Sequence, residues 1–423
     1  MKEFDKIIGY TAIKRELEQI ADIFRNREVY DNLGVKIPVG VLLHGVPGVG
    51  KSLMANSLIE ASGLECFTCR KDRPDGDFIN YIKETFDKAA AAAPSIVFLD
   101  DMDKFANGDE RHPDCEEYVT VQSCIDESRN KDILVLATAN TLRCLPNSLL
   151  RAGRFDRIIR VGAPDAADAE KIVEHYLSSK KAASDLDSKA VAKIMNNHSC
   201  AELETVINEA GIYAGFDRSE NIGMEHFLKA AMRVVYGVSA SAFEEAEPSG
   251  MVDDLMLKVA YHEAGHALIH EVFDAGSVAL VSMYGSSYDD FGGLTVFRHG
   301  DSIGWHKRIE IEIIGGLAGM AATEQKFGTT DIGCSSDLEK TFGRVRDLIV
   351  NDCTSGFNLH GEYGEYSNDL RAKQEQAVAA EVEKYYRRAK EIISQNTEFF
   401  EAIAQTLLSK KILSSSDIEN LRQ

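Results

Sequence analysis

A glycine-rich segment near the N-terminus constrains the fold more than any other part of the sequence. It follows an apolar run at residues 39–43 and reads Gly45-Val46-Pro47-Gly48-Val49-Gly50-Lys51-Ser52. The pattern G-x-x-x-x-G-K-S requires a strand, a loop and a helix in that order, because backbone amides at a helix N-terminus must close on phosphate oxygens. Lys51 then reaches the β and γ oxygens, and Ser52 binds Mg²⁺. A glycine-rich turn without nucleotide would leave the Lys-Ser pair unexplained, so we predict an ATP site.

A second motif lies far downstream, inside an apolar run at residues 259–269. His262-Glu263-Ala264-Gly265-His266 places two histidines four residues apart, and a helix would bring both imidazoles to one face and one zinc ion. Glu263 could then accept a proton from water at the ion. A buried helix with two hydrogen-bonded histidines is the alternative interpretation. We favour a zinc hydrolase site.

Composition narrows the class of protein. The 423 residues exceed what one hydrophobic core usually holds, which favours two or three domains. A formal charge of -21 argues against nucleic acid or an anionic membrane as the main partner. No apolar run reaches the roughly 20 residues of a membrane span, and the N-terminus lacks a signal-peptide core. We therefore expect a soluble, cytoplasmic chain with reduced cysteines, and we interpret the lone Cys66-x-x-Cys69 as buried thiols.

Periodicity divides the chain into blocks. The first block alternates apolar runs with helical patterns, and its predicted strands are residues 39–43, 65–69, 95–99, 132–137 and 157–161. This alternation indicates an α/β module with a parallel sheet and helices on both faces. The remainder is mainly helical, with two strand-like runs at 278–284 and 293–298. The predicted domains are a large ATPase subdomain, a helical lid, a linker and a helical peptidase domain, at residues 1–163, 164–238, 239–250 and 251–423.

Polar residues at the ends of two predicted strands suit nucleotide hydrolysis. Asp100 and Asp101 follow the third strand, where Asp100 could hold the magnesium shell and Asp101 could orient the attacking water. Asn140 follows the fourth strand, where it could contact the γ-phosphate or the water. Arg151 and Arg154 lie on a turn beyond it. That turn is either a solvated basic surface or a source of guanidinium groups for the next subunit's nucleotide, which would require a ring.

This order of motifs resembles the FtsH family of ATP-dependent zinc metalloproteases over nearly the whole chain. Further matching stretches are Ile8-Gly9-Tyr10, Gly40–His44, Leu150–Arg157, Ala201–Glu204 and His262–Leu268. The resemblance implies an AAA+ module with a helical lid, a mainly helical zinc peptidase domain, and a hexamer that threads protein substrates into an inner chamber. It also implies adenine contacts from Ile8, Gly9 and His175. Arg151 and Arg154 match the family's arginines that act on the neighbouring subunit.

The third zinc ligand must come from outside the motif helix. His270 shares the face, but eight residues at about 1.5 Å rise put it ~12 Å from the first histidine. The family takes an aspartate from a Gly-x-x-x-Asp-Leu stretch after the next long helix, and residues 333–338 match it, so the resemblance implies Asp337. Without the family, Asp337 could be an ordinary acid at a helix N-terminus, with Asp331 and Glu324 as rivals. For Glu324 we favour a supporting role, in which it orients a zinc ligand without binding the ion itself.

Four departures from the family pattern modify these expectations. The family has an N-terminal membrane anchor, whereas this chain opens directly at its ATPase module, as a soluble relative or a trimmed sequence would. Asp101 replaces a glutamate and is one methylene shorter, which should slow hydrolysis. Ser128-Arg129-Asn130 replaces a signalling Asp-Gly-Phe. The aromatic-Val-Gly pore loop that grips substrate becomes Pro74-Asp75-Gly76, which predicts weak pulling unless the nearby Phe78 takes over the grip.

We therefore predict an ATP-powered zinc endopeptidase in which Glu263 is the base and the zinc ligands are His262, His266 and Asp337. The edge of the run at residues 291–297 could pair with an extended substrate, although its Gly-Gly could also mark a bend. Two alternatives stay open. One is a remodelling ATPase with little unfolding-linked proteolysis, and the other is a peptidase for unstructured chains that ATP only gates.

Overall fold

The structure is a computed structural model, and the residues it describes are 2–71, 77–106, 115–239, 243, 254–285, 292–300, 303–330, 332–360 and 367–422. They group into two units, which are described separately. Unit 1 comprises Met1–Lys180 and Asn196–Ile207, and unit 2 comprises Lys181–Met195 and Asn208–Gln423. The predicted pore loop at 74–76, Asp331 and nearly all of the predicted linker lie outside the described residues.

Unit 1 is built on a parallel sheet of five strands in the order β2-β3-β4-β1-β5. The strands are β1 Gly40–His44, β2 Glu65–Cys69, β3 Ser95–Leu99, β4 Ile133–Ala139 and β5 Arg157–Arg160. All five predicted strands are confirmed. Helices cover both faces, so β3 and β4 are buried along their whole length and read as unbroken apolar runs.

The helices that flank this sheet are α1 Thr11–Arg25, α2 Arg27–Asn32, α3 Lys51–Ser62, α4 Phe78–Ala91, α5 Glu116–Ser128 and α6 Ala166–Leu177. Helices α4 and α5 bury Phe86 and Tyr118 against one face of the sheet, where Leu42 and Val135 meet them. Neighbouring positions of β1 point the opposite way. Helix α3 packs against β1 and β4.

Phe78 is used in the packing of unit 1. It begins α4, and its ring meets Phe105 edge to face, with the ring centroids 4.9 Å apart. The ammonium of Lys71 lies 5.6 Å from the centre of the same ring. A side chain held in this way is poorly placed for the grip on substrate that we considered for Phe78.

The two cysteines of the C-x-x-C pattern lie in β2, where positions three apart point to opposite faces of a sheet. Cys69 is buried and Cys66 partly so, and burial raises the pKa of the Cys66 thiol. The eight cysteines all fall within the described residues, and none of them forms a disulfide. The interpretation as buried thiols therefore fits the structure better than a metal or redox pair does.

Three helices follow along the chain: α7 Ser188–Ile194, α8 Cys200–Phe216 and α9 Met224–Val234. Helices α7 and α9 belong to unit 2, and α8 begins in unit 1 and ends in unit 2. Unit 2 continues with α10 Asp254–Phe273, α11 Trp305–Phe327, α12 Ser335–Arg346, α13 Asn368–Gln395, α14 Thr397–Lys410 and α15 Ser415–Leu421. Its small antiparallel sheet has the order β7-β6-β8, with β6 Val278–Ser282, β7 Leu294–Phe297 and β8 Ile412–Ser414. The α/β module followed by a mainly helical region is thus confirmed.

Helix α10 lies at the centre of unit 2. It packs against α11 and α14, and the shared core includes Leu268, Ile314 and Leu407. Gly265 allows the close approach of α10 and α11, because a Cβ there would lie 2.6 Å from the carbonyl oxygen of Ala318. Within the described residues, no helix combines the length and apolar character that crossing a bilayer requires.

Candidate active sites

The phosphate-binding loop of unit 1 runs from the end of β1 to the start of α3. Gly50 has φ of 90°, a conformation that glycine adopts without strain, and Lys51 is the first helical residue. The Lys51 ammonium donates hydrogen bonds to the carbonyl oxygens of Gly45 (2.8 Å) and Val46 (3.0 Å) and to Oδ1 of Asn140 (2.9 Å). Burial lowers its pKa, although nearby aspartates oppose the shift. An anionic ligand would restore the stability of this charge.

Asp100 and Asp101 occupy different environments at the end of β3. Oδ1 of Asp100 accepts hydrogen bonds from Thr138 Oγ1 (2.7 Å) and Ser52 Oγ (3.5 Å). Asp101 donates its backbone N–H to Thr138 Oγ1 (2.9 Å), and its Oδ2 lies 2.8 Å from the Lys104 ammonium. Ser52 and Asp100 therefore meet as a magnesium site requires, whereas the shorter Asp101 is paired with a lysine.

Sequence reasoning missed two side chains at this edge of the sheet. Thr138 holds both aspartates in place through the contacts above. Arg70 follows β2 directly, and its guanidinium lies 3.7 Å from Asp100 and 3.8 Å from Asp101. The available signal was topological, since residues that follow neighbouring parallel strands meet at one edge.

A cavity of about 700 Å³ adjoins the loop and matches the predicted nucleotide site. Its wall beyond the loop includes Ile8, Tyr10, His175, Tyr176, Cys200, Ala201 and Glu204. Gly9 does not line this cavity. A Cβ there would lie 2.8 Å from the Asp168 side chain, which accepts the backbone N–H of Tyr10 at 2.8 Å. Ile8 and His175 thus reach the cavity, and Gly9 supports the turn beside it.

The two candidate arginines differ sharply in their surroundings. Arg151 is exposed. Arg154 is only 15% exposed and forms a two-pronged ion pair with Asp126, from Nε to Oδ1 (3.1 Å) and from a terminal nitrogen to Oδ2 (2.7 Å). It also donates to the carbonyl of Ser148, and Asp126 binds Arg129 as well. Arg151 is therefore exposed to solvent, while Arg154 is engaged within its own chain.

In unit 2, the histidines of the H-E-x-x-H motif lie one turn apart on α10. Their Nε2 atoms are 3.0 Å apart. Helix α11 forms the wall behind them: a Cβ on Gly319 would lie 2.6 Å from Nδ1 of His262, so only glycine leaves room for that imidazole. The carbonyl of Gly315 accepts a hydrogen bond from Nδ1 of His266 (2.7 Å). That bond fixes the tautomer and leaves Nε2 of His266 free for a metal.

Asp337, in the first turn of α12, completes the group. Its Oδ2 lies 3.3 Å from Nε2 of His262 and 3.3 Å from Nε2 of His266. A tetrahedral zinc site with bonds of about 2.0–2.1 Å separates its ligand atoms by roughly 3.3 Å, so the three side chains fit zinc. Among the described His, Cys, Asp and Glu residues, this is the one group of three whose ligand atoms all lie within 4.8 Å.

Hydrogen bonds between the imidazoles and Asp337 stabilise the charged forms of His266 and Asp337. Burial disfavours a charged His266, but the hydrogen bond to Asp337 and the charges of Glu263 and Asp337 outweigh it and raise the pKa of His266 to about 9. Burial likewise opposes a charged Asp337, yet hydrogen bonds from the two imidazoles hold its pKa well below the usual range. The metal-free site therefore keeps a proton that a cation would displace.

Glu324 and His270, two other candidates that lie within the described residues, have different partners. Glu324 accepts hydrogen bonds from Tyr386 and from Lys390 (3.0 Å), both on α13. His270 is buried and pairs with His299, with 3.1 Å between Nδ1 and Nε2. The structure thus brings Asp337 to the two motif histidines, and Glu324 is not among their neighbours.

Glu263 faces a cavity of about 900 Å³ that also contains the three candidate ligands. Its wall includes Val259, Gly293, Thr295, Phe297, Ile313, Gly316, Lys340 and Arg344. The carboxylate of Glu263 accepts a hydrogen bond from Thr295 Oγ1 at Oε2 (2.7 Å). Sequence reasoning did not predict this contact, because it joins α10 to β7.

Comparison with known proteins finds a matching family model within each unit. Residues 41–163 match the ATPase family associated with various cellular activities (AAA), and residues 252–421 match peptidase family M41. The ATP-dependent zinc metalloprotease FtsH of Caldicellulosiruptor bescii is 27% identical over 99% of this chain and 71% of its own length. These matches cover the phosphate loop and the zinc-ligand candidates alike.

Two eukaryotic proteins are similar over the same extent. The ATP-dependent zinc metalloprotease FTSH 1, chloroplastic, of Arabidopsis thaliana is 29% identical over 99% of this chain and 62% of its own length. The mitochondrial inner membrane i-AAA protease supercomplex subunit YME1 of Saccharomyces cerevisiae is 27% identical over 99% of this chain and 57% of its own length. The chain therefore spans between 57% and 71% of the three relatives.

Proposed function

Because this chain belongs to the FtsH family, in which an AAA module precedes an M41 peptidase domain, we propose that it is an ATP-dependent zinc endopeptidase. The observation that carries the proposal is the triangle of His262, His266 and Asp337 beside Glu263, with 3.0–3.3 Å between ligand atoms. Zinc bound there would polarise the scissile carbonyl and acidify the attacking water. Glu263 would accept the proton from that water and pass it to the leaving amine.

The ATPase part of the proposal rests on the phosphate loop. Lys51 would bind the β and γ oxygens of ATP, and Ser52 with Asp100 would hold Mg²⁺. Asn140 contacts Lys51 and would contact the γ-phosphate in turn. Asp101 would orient the attacking water, for which it must leave Lys104. The lysine pairing and the short side chain both predict slow hydrolysis.

A homohexamer that acts on protein substrates is the finer part of the proposal. It is supported by the exposed Arg151, which could reach a neighbour's nucleotide, and by the relatives, whose names describe proteases. A cytoplasmic location also belongs to the proposal and rests on the cysteine usage of the sequence.

One pair of variants tests the central claim. Glu263→Gln keeps the size of the side chain but cannot accept a proton, so cleavage of an unfolded casein-like chain should fall at least a hundredfold, about the effect of a lost general base. Zinc content and ATP hydrolysis should stay at the wild-type level. Glu324→Gln is the matched control, because Glu324 contacts α13 and not the histidines, and it should keep cleavage. Near wild-type cleavage by Glu263→Gln would contradict the assignment.

A further inference from the structure

Strand β7 touches the zinc-ligand helix through alternate residues. Positions 293, 295 and 297 share one face of the strand. A Cβ on Gly293 would lie 2.8 Å from Cδ of Glu263 and would overlap its Oε1. Thr295 donates its hydroxyl hydrogen to Oε2 of Glu263 at 2.7 Å. Phe297 stacks on His270, with ring centroids 3.4 Å apart and 17° between the planes. Positions 293, 295 and 297 therefore all contact α10.

The Thr295 contact fixes the direction of the Glu263 carboxylate. Its hydroxyl has one proton and lies nearer to Oε2 (2.7 Å) than to the backbone carbonyl of the same residue (3.3 Å). The shorter distance assigns the hydroxyl proton to Oε2. A β-branched side chain has few χ1 rotamers, so the donor itself is held still. Glu263 is 6% exposed, which keeps water from replacing this donor freely.

The bare backbone of Gly293 gives the second carboxylate oxygen its room. Oε1 occupies the space that a Cβ at this position would take. Gly293 and Glu263 both line the cavity that contains the candidate zinc ligands. Oε2 is thus hydrogen-bonded to Thr295, while Oε1 lies beside Gly293.

We propose that Thr295 is a positioning residue for the general base: its hydroxyl holds Oε2 of Glu263, so that Oε1 is the oxygen that accepts the proton from water. The inference rests on the proposed function. It also gives the Gly293-x-Thr295 pattern a role beyond strand formation, since one residue clears the space and the other aims the carboxylate. Because β7 is an outer strand of its sheet, a substrate paired with it would lie on the element that aligns the base.

Strand propensity alone would also favour threonine here, and two substitutions separate the explanations. Thr295→Val keeps the branched shape and removes the hydroxyl, whereas Thr295→Ser keeps the hydroxyl. Under the inference, kcat for an unstructured fluorogenic peptide falls about tenfold in Thr295→Val, with KM within about twofold of wild type. Tenfold corresponds to about 1.4 kcal/mol, the lower end for a hydrogen bond to a charged group. Thr295→Ser should recover most of kcat, and bound zinc should be equal in all three proteins.

Gly293→Ala tests the alignment of the Glu263 carboxylate in a second way. The added methyl group would displace the flexible end of Glu263, so kcat should fall at least tenfold while zinc stays bound. Gly343→Ala is the matched control, because a Cβ at Gly343 meets no described atom within 4 Å. That variant should keep full kcat.

A readout independent of catalysis completes the test. In metal-free protein, thermal unfolding of Thr295→Val, Glu263→Ala and the double variant forms a double-mutant cycle, and the two changes should not be additive. Wild-type kcat in Thr295→Val, or additive effects in the cycle, would overturn the inference and leave the proposed function standing. Failure of the zinc-loaded wild type to cleave any peptide would overturn both.

Discussion

The raised pKa of His266, about 9 against a usual 6.5, links the stability of the metal-free protein to pH. The folded state holds this proton more tightly than the unfolded chain does, so the added stability is complete below pH 6.5 and is lost as the pH rises through 9. The thermal midpoint of chelator-treated protein should therefore fall across this range. His266→Asn should remove most of the slope. An equally steep fall in that variant would assign the slope to other groups.

A second prediction at this scale concerns the third ligand. Asp337→Ala removes the carboxylate oxygen that lies 3.3 Å from Nε2 of both motif histidines. Loss of a residue that only orients a metal ligand costs about 10–100-fold in metal affinity. Loss of the ligand itself should therefore cost more than ~100-fold. Competition with a chromogenic chelator measures this. Glu324→Ala is the control, and equal zinc affinity in the two variants would refute the assignment.

Single residues could be predicted from the sequence where their partners lie close along the chain. His262, Glu263 and His266 share one helix face, so their spacing alone indicates a metal site. Asp337 needed the family resemblance, because helix α11 intervenes. Thr295 escaped prediction, since a contact between β7 and α10 depends on the strand's register and placement.

At the scale of elements, burial on both faces made the inner strands of unit 1 recognisable from the sequence. Strands such as β3 are enclosed by helices and read as continuous apolar runs of the right length. The short strand β8, Ile412–Ser414, was missed. Its three residues lead into α15, and the Ser414 hydroxyl caps that helix, so the local pattern is typical of a helix start.

The close packing of α11 against α10 leads to a prediction for Gly319. Gly319→Ala would press a methyl group against the His262 imidazole, which has no space to move into between the two helices. Overpacking of a buried contact costs typically about 1–3 kcal/mol, and the displaced imidazole should also weaken zinc binding. Denaturant unfolding and zinc content test both effects. Wild-type stability together with wild-type zinc content would contradict the close approach of α10 and α11 at Gly319.

At the scale of the whole molecule, the ring proposal distinguishes two arginines. Arg151→Ala should reduce ATP hydrolysis about a thousandfold, the low end for an arginine finger, without changing thermal stability. Arg154→Ala should lower stability too, because it removes the two-pronged ion pair with Asp126. Mixing Arg151→Ala with Lys51→Ala subunits should restore part of the activity, since intact half-sites can meet. Full ATPase activity in a monomer, by light scattering and phosphate release, would exclude the ring mechanism.

The composition of the predicted pore loop limits the force that such a ring could apply. Translocation needs side chains that pack against any passing polypeptide, and large apolar rings do so without matched hydrogen bonds. Residues 70–77 read Arg-Lys-Asp-Arg-Pro-Asp-Gly-Asp, and the nearest aromatic, Phe78, packs against Phe105.

We therefore expect unfolded, casein-like chains to be degraded while a stably folded protein with the same degradation tag survives. The comparison is made with and without ATP, by following the loss of labelled substrate on a gel. Phe78→Ala is the informative variant: it should lower the stability of unit 1 and leave the degradation of unfolded chains unchanged, because the ring serves packing and not grip. Rapid ATP-dependent destruction of the folded protein by the wild type, abolished by Phe78→Ala, would show instead that Phe78 grips the substrate.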